Sequence, residues 1–300
     1  MSQFKRLYRL TVGVQGKQGR VIETKEDEDA LSVDFAIEKD LTQQTNKSNI
    51  RIINLAPETR KALEADDAIA IFEVGYAEDI GLRRIFIGAV THASSIVEGS
   101  DVVTSLELAD GQIPLRDTVL TLGYSAGVSS EKILHDIAAQ MGLTLYIAPD
   151  VDFKSYTNGY SYIGKPETCL DKVSDAIGAL WSIQNNIINV ILAGGSTQRR
   201  AQVFTPDSGL IGSPERIIKG VRRPNKEAQK KRKVKKDKAE KRAGWRIKTL
   251  LAPTVNPGDL VRVESMPLTG WLRVESLSHQ GGYSDQEWYS EIELIEIKLD

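Results

Sequence analysis

Ala68-Ile-Ala-Ile-Phe-Glu-Val74, Ile85-Phe-Ile-Gly-Ala-Val-Thr-His92 and Thr104-Ser-Leu-Glu-Leu108 make one set of apolar and polar alternations in this chain. Asp259-Leu-Val-Arg-Val-Glu-Ser265, Trp271-Leu-Arg-Val-Glu-Ser-Leu-Ser-His279 and Tyr289-Ser-Glu-Ile-Glu-Leu294 make a second. Each set reads as a strand, a turn, a strand ending in His, a polar loop, and a returning strand that carries Glu-Leu. From His to that Glu is 15 positions in one set and 14 in the other. A β-module used twice in one chain, with no catalytic cluster on it, points to a ring-building or scaffolding protein.

Working outward, residues 1–111 read as β. Leu10-Thr-Val-Gly-Val, Leu31-Ser-Val-Asp-Phe-Ala-Ile-Glu and Asn49-Ile-Arg-Ile-Ile-Asn-Leu alternate with period two, as half-buried strands do. Pro57 opens a short helix, where its missing N–H is harmless. Residues 112–204 change to strand and helix alternation. Ser129 and Ser130 cap an amphipathic helix that ends at Gly142, and Pro166 starts a second that contains Cys169. Asn185-Asn186 between two apolar runs sets a tight hairpin. Residues 205–300 return to β, with Pro257-Gly-Asp as a turn before the strand Leu260-Val-Arg-Val. The fold class expected is mainly β with an α+β insertion: two β-domains, 1–111, a small barrel or sandwich, and 205–300, flanking a small α+β domain, 112–204.

The chain has 300 residues, 41% hydrophobic, enough for a sizeable buried core. No apolar run reaches the roughly 18 residues of a membrane span, and the first ten residues lack a signal-peptide core, so folding in a cytoplasm is expected. The single cysteine excludes an internal disulfide, and with three His it offers no zinc spacing; no metal or cofactor site is expected. Cys169 reads as a small buried thiol. His92 and His279, at matching places in the repeat, read as hydrogen-bonding fixtures. The acidic clusters Glu26-Asp-Glu-Asp29 and Glu64-Ala-Asp-Asp67 read as solvated rather than as an acid/base pair. Gly194-Gly195 and Gly281-Gly282 read as turns, since neither has the Lys and Ser/Thr of a phosphate loop. Trp181, Trp245, Trp271 and Trp288 fall on expected strands, as core or subunit interface. No catalytic residue is identified, and an enzyme is not expected.

The net charge of −2 hides one basic stretch. Between 222 and 243 stand Arg222, Arg223, Lys226, Lys230, Lys231, Arg232, Lys233, Lys235, Lys236, Lys238, Lys241 and Arg242, against three acids. The rest of the chain keeps 27 basic and 38 acidic residues, a balance of −11. The stretch reads as a solvated, flexible loop between two strands, or an arm that a docking partner orders. Its alternative is a nucleic-acid-binding arm, since Lys and Arg displace counterions from phosphates, although no aromatic residue interleaves it for stacking.

In order and spacing, Asp34-Phe-Ala-Ile37, Asn49-Ile-Arg-Ile-Ile-Asn-Leu55, Gly209-Leu-Ile-Gly-Ser-Pro214, Leu251-Ala-Pro-Thr-Val-Asn-Pro-Gly-Asp-Leu-Val-Arg-Val263 and Gly270-Trp-Leu-Arg-Val274 through His279 resemble the central baseplate hub protein of tailed, and above all contractile-tailed, bacteriophages. The resemblance covers nearly the whole chain. It implies a homotrimer whose six barrels form a pseudo-sixfold ring around a DNA channel, joining a hexameric tail tube to a trimeric central spike. Tail tube and spike proteins are the implied partners, with tape measure and baseplate wedge proteins beside them. DNA is implied only as passing cargo, within a virion assembled in the host cytoplasm. An acidic channel lining would let that DNA slide.

Overall fold

The computed structural model describes residues 5–14, 16–24, 30–41, 46–221, 240–284 and 287–297. The chain begins with β1 (Arg6–Gly13), β2 (Arg20–Glu23), β3 (Val33–Asp40), β4 (Lys47–Ile53), the short helix α1 (Pro57–Leu63), β5 (Ile69–Tyr76), β6 (Arg83–Glu98) and β7 (Asp101–Ala109). A middle stretch holds α2 (Gln112–Asp117), β8 (Leu120–Tyr124), β9 (Val128–Ser129), α3 (Ser130–Met141), β10 (Thr144–Ile147), β11 (Ser155–Tyr156), β12 (Tyr160–Gly164), α4 (Pro166–Ala176), β13 (Ala179–Gln184) and β14 (Ile187–Leu192). The chain then runs through β15 (Arg200–Phe204), β16 (Leu210–Val221), β17 (Glu240–Leu250), β18 (Leu260–Ser265), β19 (Leu268–Gly282) and β20 (Trp288–Ile295). The protein is mainly β with a small helical insertion.

The first and last stretches are one strand pattern drawn twice. Neighbouring strands run β3-β4-β7-β6-β5-β1 in the first, with β2 beyond, and β16-β17-β20-β19-β18-β15 in the second. The copies agree rung by rung. The β4·β7 ladder from Lys47↔Ala109 to Ile53↔Val103 matches the β17·β20 ladder from Gly244↔Ile295 to Leu250↔Tyr289. Both long central strands bulge at the same place, between Val90 and His92 in β6 and between Val274 and Ser276 in β19. One strand differs: β1 runs antiparallel to β5, whereas β15 runs parallel to β18. The strand β15, which sequence periodicity alone groups with the helical stretch, thus pairs within the second β-copy.

Each copy curls around its own core. Phe35 on β3 and Phe72 on β5, four strands apart in the sheet, meet edge to face at 5.1 Å. The Tyr8 hydroxyl on β1 donates to the Leu31 carbonyl just before β3 at 2.8 Å. In the second copy Phe204 of β15 shares a core with Leu210 of β16 and with Val261, Leu277 and Ile292. The alternation in the strands buries one face, and each fully buried Phe, Leu or Ile stabilises by about 1.5–3 kcal/mol. Between the copies, α3 is capped by the Ser129 hydroxyl, which accepts from the Glu131 N–H, and is closed by Gly142 in the left-handed region. Its Ile133, Leu134, Ile137 and Met141 pack with Cys169, Leu170 and Val173 of α4 and with Trp181 of β13. Asn185 and Asn186 turn the β13–β14 hairpin with φ of 53° and 64°.

The two copies meet strand to strand. The second part of β19 leaves β18 and pairs with β3, from Ser276↔Asp40 to Gly282↔Asp34. Gly281, read from sequence as part of a turn, is extended strand opposite Phe35. A Cβ there would stand 2.6 Å from the Phe35 ring and 2.7 Å from Trp288. The glycine is needed for that close approach rather than for a turn.

Candidate functional site

Because the copies share a ladder, their outward side chains form one face across β17, β20, β19, β3, β4 and β7. Along successive rungs it carries Lys248, Glu291, Ser278 and Glu38, then Arg246, Glu293, Ser276 and Asp40, then Asp34, Arg51 and Ser105, with Asn49 opposite Glu107. The face bears both signs and is acidic on balance, with Lys248, Arg246 and Arg51 against Glu291, Glu38, Glu293, Asp40, Asp34 and Glu107. Arg246 bonds Glu293 at 3.0 Å, and the Ser276 hydroxyl donates to the other oxygen of that carboxylate at 2.9 Å. The Lys248 ammonium stands 3.5 Å over the Tyr289 ring, whose hydroxyl donates to Gln280 at 2.6 Å. A shallow concavity centred on the joint is lined by Asp34, Asn49, Arg51, Glu107 and Gln280. These are groups for contacting polymer or protein over an area.

Behind the joint, the middle stretch locks both copies through buried polar groups. The Lys39 ammonium donates to Asn256 Oδ1 at 3.0 Å, and burial pulls its pKa down to about 8. Asp110 accepts the Asn185 backbone N–H at 2.6 Å; burial pushes its pKa up to about 6, partly opposed by that bond and by the Lys39 charge. Thr197 and Arg199 donate to Asp259 Oδ1 at 2.8 and 2.9 Å, and Gln184 donates to the Asp40 carbonyl at 2.6 Å. Arg273, fully buried, donates to the Gly195 carbonyl and to Glu275, each at 2.6 Å. Breaking one partner of such a network strands another polar group away from water, so the joint resists hinging. Sequence reading passed over Lys39, Asp110 and Asn256. The available signal was parity, which puts Lys39 on the same strand face as Phe35 and Ile37.

His92 and His279 do not occupy matching positions. The bulges align Val90 with Val274, so His92 matches Ser276, and Glu107 matches Glu293 on the returning strand. His92 is exposed opposite Glu107. His279 is buried, its Nδ1 2.8 Å from the Ser290 hydroxyl, and desolvation lowers its pKa to about 3, keeping it neutral. Among the described residues no three His, Cys, Asp or Glu converge as a metal site. Cys169 is buried beside the Tyr160 hydroxyl, and its thiol pKa is raised by burial.

The basic stretch falls in the sequence between β16 and β17. Pairing continues to Val221↔Glu240, past Gly244↔Ile295, the last rung that β17 makes with β20. The ribbon therefore extends about 13 Å beyond its neighbour, at roughly 3.3 Å per residue. Lys241 and Arg242 lie on β17, opposite Gly220 and Lys219. Arg222, Arg223, Lys226, Lys230, Lys231, Arg232, Lys233, Lys235, Lys236 and Lys238 lie outside the described residues, as does the acidic cluster Glu26 to Asp29.

The duplicated, side-by-side β-pattern with a helical insertion has solved counterparts. A tail protein from Neisseria meningitidis superposes with a TM-score of 0.63 at 11% identity, over 96% of each chain. The 43 kDa tail protein of prophage MuSo2 from Shewanella oneidensis gives 0.60 at 10% identity, over 96% of this chain and 98% of that one. The fold is that of phage tail proteins. The same tail fold occurs in an Escherichia coli component of the type VI secretion system, described as structurally similar to the T4 tail proteins gp27 and gp5; the TM-score is 0.61 at 10% identity, over 96% of this chain and 77% of that one. No family model matches the sequence, and no curated protein is recognisably similar to it in sequence.

Proposed function

We propose that the chain is the structural hub of a phage-type tail baseplate. Three copies form a pseudo-sixfold ring of β-copies that joins a hexameric tail tube to a trimeric central spike and encloses the DNA channel. The observation that carries this reading is the duplication itself: two copies of one six-strand pattern, joined edge to edge by β3 and β19, in a chain with the tail-protein fold. A threefold assembly of such chains offers six near-equivalent surfaces to a hexamer and three true repeats to a trimer. The shared outward face, wide, polar and acidic on balance, suits a channel wall along which DNA passes without sticking, since basic patches are what hold phosphates. The role is structural rather than catalytic, in the virion, with tape measure and wedge proteins as further neighbours. The basic segment between β16 and β17 docks on an acidic surface of tube, spike or wedge protein.

The test is the mass of the purified chain in solution, by light scattering across a concentration range, with and without a candidate spike protein. A particle of three times 33.1 kDa, alone or in complex with the spike, is expected. A chain that stays monomeric with the spike present overturns the reading.

A further inference from the structure

We infer that the Lys39 side-chain amine and the Asn256 side-chain amide react within the folded chain to form an isopeptide bond, which ties β3 of the first copy to the loop before β18 of the second and releases ammonia. The reaction does not depend on the hub reading. Lys39 Nζ donates to Asn256 Oδ1 at 3.0 Å, across 217 positions of sequence. Because a carbonyl bond is about 1.23 Å long, that nitrogen stands at most about 4.2 Å from the Asn256 carbonyl carbon. A shift of about 1 Å brings it to the about 3–3.5 Å from which a nucleophile attacks.

The surroundings make the lysine a nucleophile. Lys39 is 2% exposed, on the strand face of Phe35 and Ile37 and opposite Leu277. It makes no ion pair among the described residues, and a buried ammonium without a carboxylate in contact is costly. Burial holds its pKa down at about 8, so about a tenth of such lysines carry a free lone pair at pH 7, against roughly one in a few thousand of exposed ones. Asp110, also 2% exposed, is placed to carry the protons. Its Oδ2 accepts the Asn185 backbone N–H at 2.6 Å, its Oδ1 has no hydrogen-bond partner among the described residues, and its charge acts on Lys39. Burial raises its pKa to about 6, which suits a carboxyl that takes and returns a proton near neutrality. Asn185 Nδ2 donates to Asn256 Oδ1 at 3.5 Å, the oxygen on which negative charge collects during attack.

The step balances without a co-reactant. The lone pair of neutral Lys39 Nζ forms a C–N bond to Asn256 Cγ, and the carbonyl electrons move onto Oδ1. Asp110 takes a proton from Nζ and delivers one to Nδ2; the carbonyl then reforms as the Cγ–Nδ2 bond breaks and ammonia leaves. Asp110 ends as it began, and one amide has replaced another. Asn256 Nδ2 donates to the Thr254 carbonyl at 3.2 Å, and Thr254 is exposed, so the ammonia departs into solvent and its dilution draws the exchange forward. Asp259 Oδ2 accepts the Asn256 backbone N–H at 3.1 Å and holds the loop in place. Pro257 has no backbone N–H, so Asn256 cannot instead lose ammonia by cyclising onto the next backbone nitrogen. The alkaline titration of Lys39 belongs to the chain before the bond forms and disappears with it.

Mass spectrometry of the full chain, purified, held for several days at pH 8 and then denatured, tests the bond. The intact mass is expected to fall short of the sequence mass by one ammonia. A tryptic digest is expected to contain residues 26–47 joined to residues 249–262 and uncut after Lys39. Lys39→Met and Asn256→Ala are expected to lack the joined peptide. Asp110→Asn is expected to form it roughly a hundredfold more slowly, and Asp110→Glu, which keeps the carboxyl, to recover it. A native chain that keeps its full mass and is cut normally after Lys39 overturns the inference, whatever the variants do. A lost ammonia without the joined peptide, as from cyclisation at Asn158-Gly159, overturns it as well. The joined peptide formed in Asp110→Asn at the native rate overturns the part given to Asp110.

Discussion

His279 and Ser95 stand in the same place in two copies of one strand. Each lies three residues past the matched start of its ladder beyond the bulge, and each faces a hydroxyl on the returning strand: His279 Nδ1 is 2.8 Å from Ser290 Oγ, and Ser95 Oγ is 3.1 Å from Thr104 Oγ1. The side chains differ because their surroundings differ. His279 lies in the joint and is fully buried, while Ser95 sits beside a free edge.

Burial of His279 makes stability depend on acid. Its folded pKa, about 3, lies below the 6.5 of the unfolded chain, so the unfolded state takes up the proton first as pH falls. Stability relative to His279→Gln is expected to be greatest above pH 6.5 and to fall by at most about 1.4 kcal/mol per unit from there to about pH 3. Urea midpoints of both proteins across this range check it. Comparing the two cancels Asp110, which has the opposite sign: its raised pKa adds stability as pH drops from about 6 toward 3.8.

Lys39 acts at the alkaline end. Its folded pKa of about 8 lies below its ordinary 10.5, so the folded state releases the proton first as pH rises. Stability is expected to increase between about pH 8 and 10.5 in the native chain and to stay level there, by comparison, in Lys39→Met. Guanidinium midpoints at pH 7.5, 9 and 10 read the difference.

Gly281→Ala is expected to destabilise by about 1–3 kcal/mol, since the new methyl overpacks Phe35 and Trp288. The damage falls on the ladder between copies, so calorimetry is expected to show the single transition broadening or splitting as the two copies uncouple. An unchanged trace would mean that the joint adapts and is not a rigid coupling.

Replacing residues 222–239 by Asn-Gly shortens the hairpin to a two-residue turn on the Val221↔Glu240 rung. The thermal midpoint and the mass in solution are expected to stay as in the native chain, while capture of the tube, spike or wedge partner is lost. Filter binding to duplex DNA at 50 and 200 mM salt is expected to be weak with or without the segment. Tight, steeply salt-dependent binding that the deletion abolishes would favour the nucleic-acid arm.

Most strands, the two amphipathic helices and the doubled β-module were legible in the sequence, because alternation, a capping hydroxyl and turn residues act over a few positions. The Ser129 cap, the Asn185-Asn186 turn and the buried Cys169 follow from such local chemistry. The buried seam was not legible. Lys39 and Asn256 stand 217 positions apart, and nothing local tells a lysine on a strand that its amide partner comes from a distant loop.

The sequence by itself determined that this is a mainly β protein built on a repeated strand pattern, since side-chain periodicity decides which face of a strand is buried. Tertiary structure alone decided the register. The ladders on either side of the matched bulges in β6 and β19 put His92 at the place of Ser276 rather than of His279, and the pairing of β19 with β3 makes Gly281 a point of close approach instead of a turn. Which edges pair and which stay free depends on backbone hydrogen bonds between strands more than two hundred residues apart, as at β3 and β19, and those bonds exist only once both copies have folded.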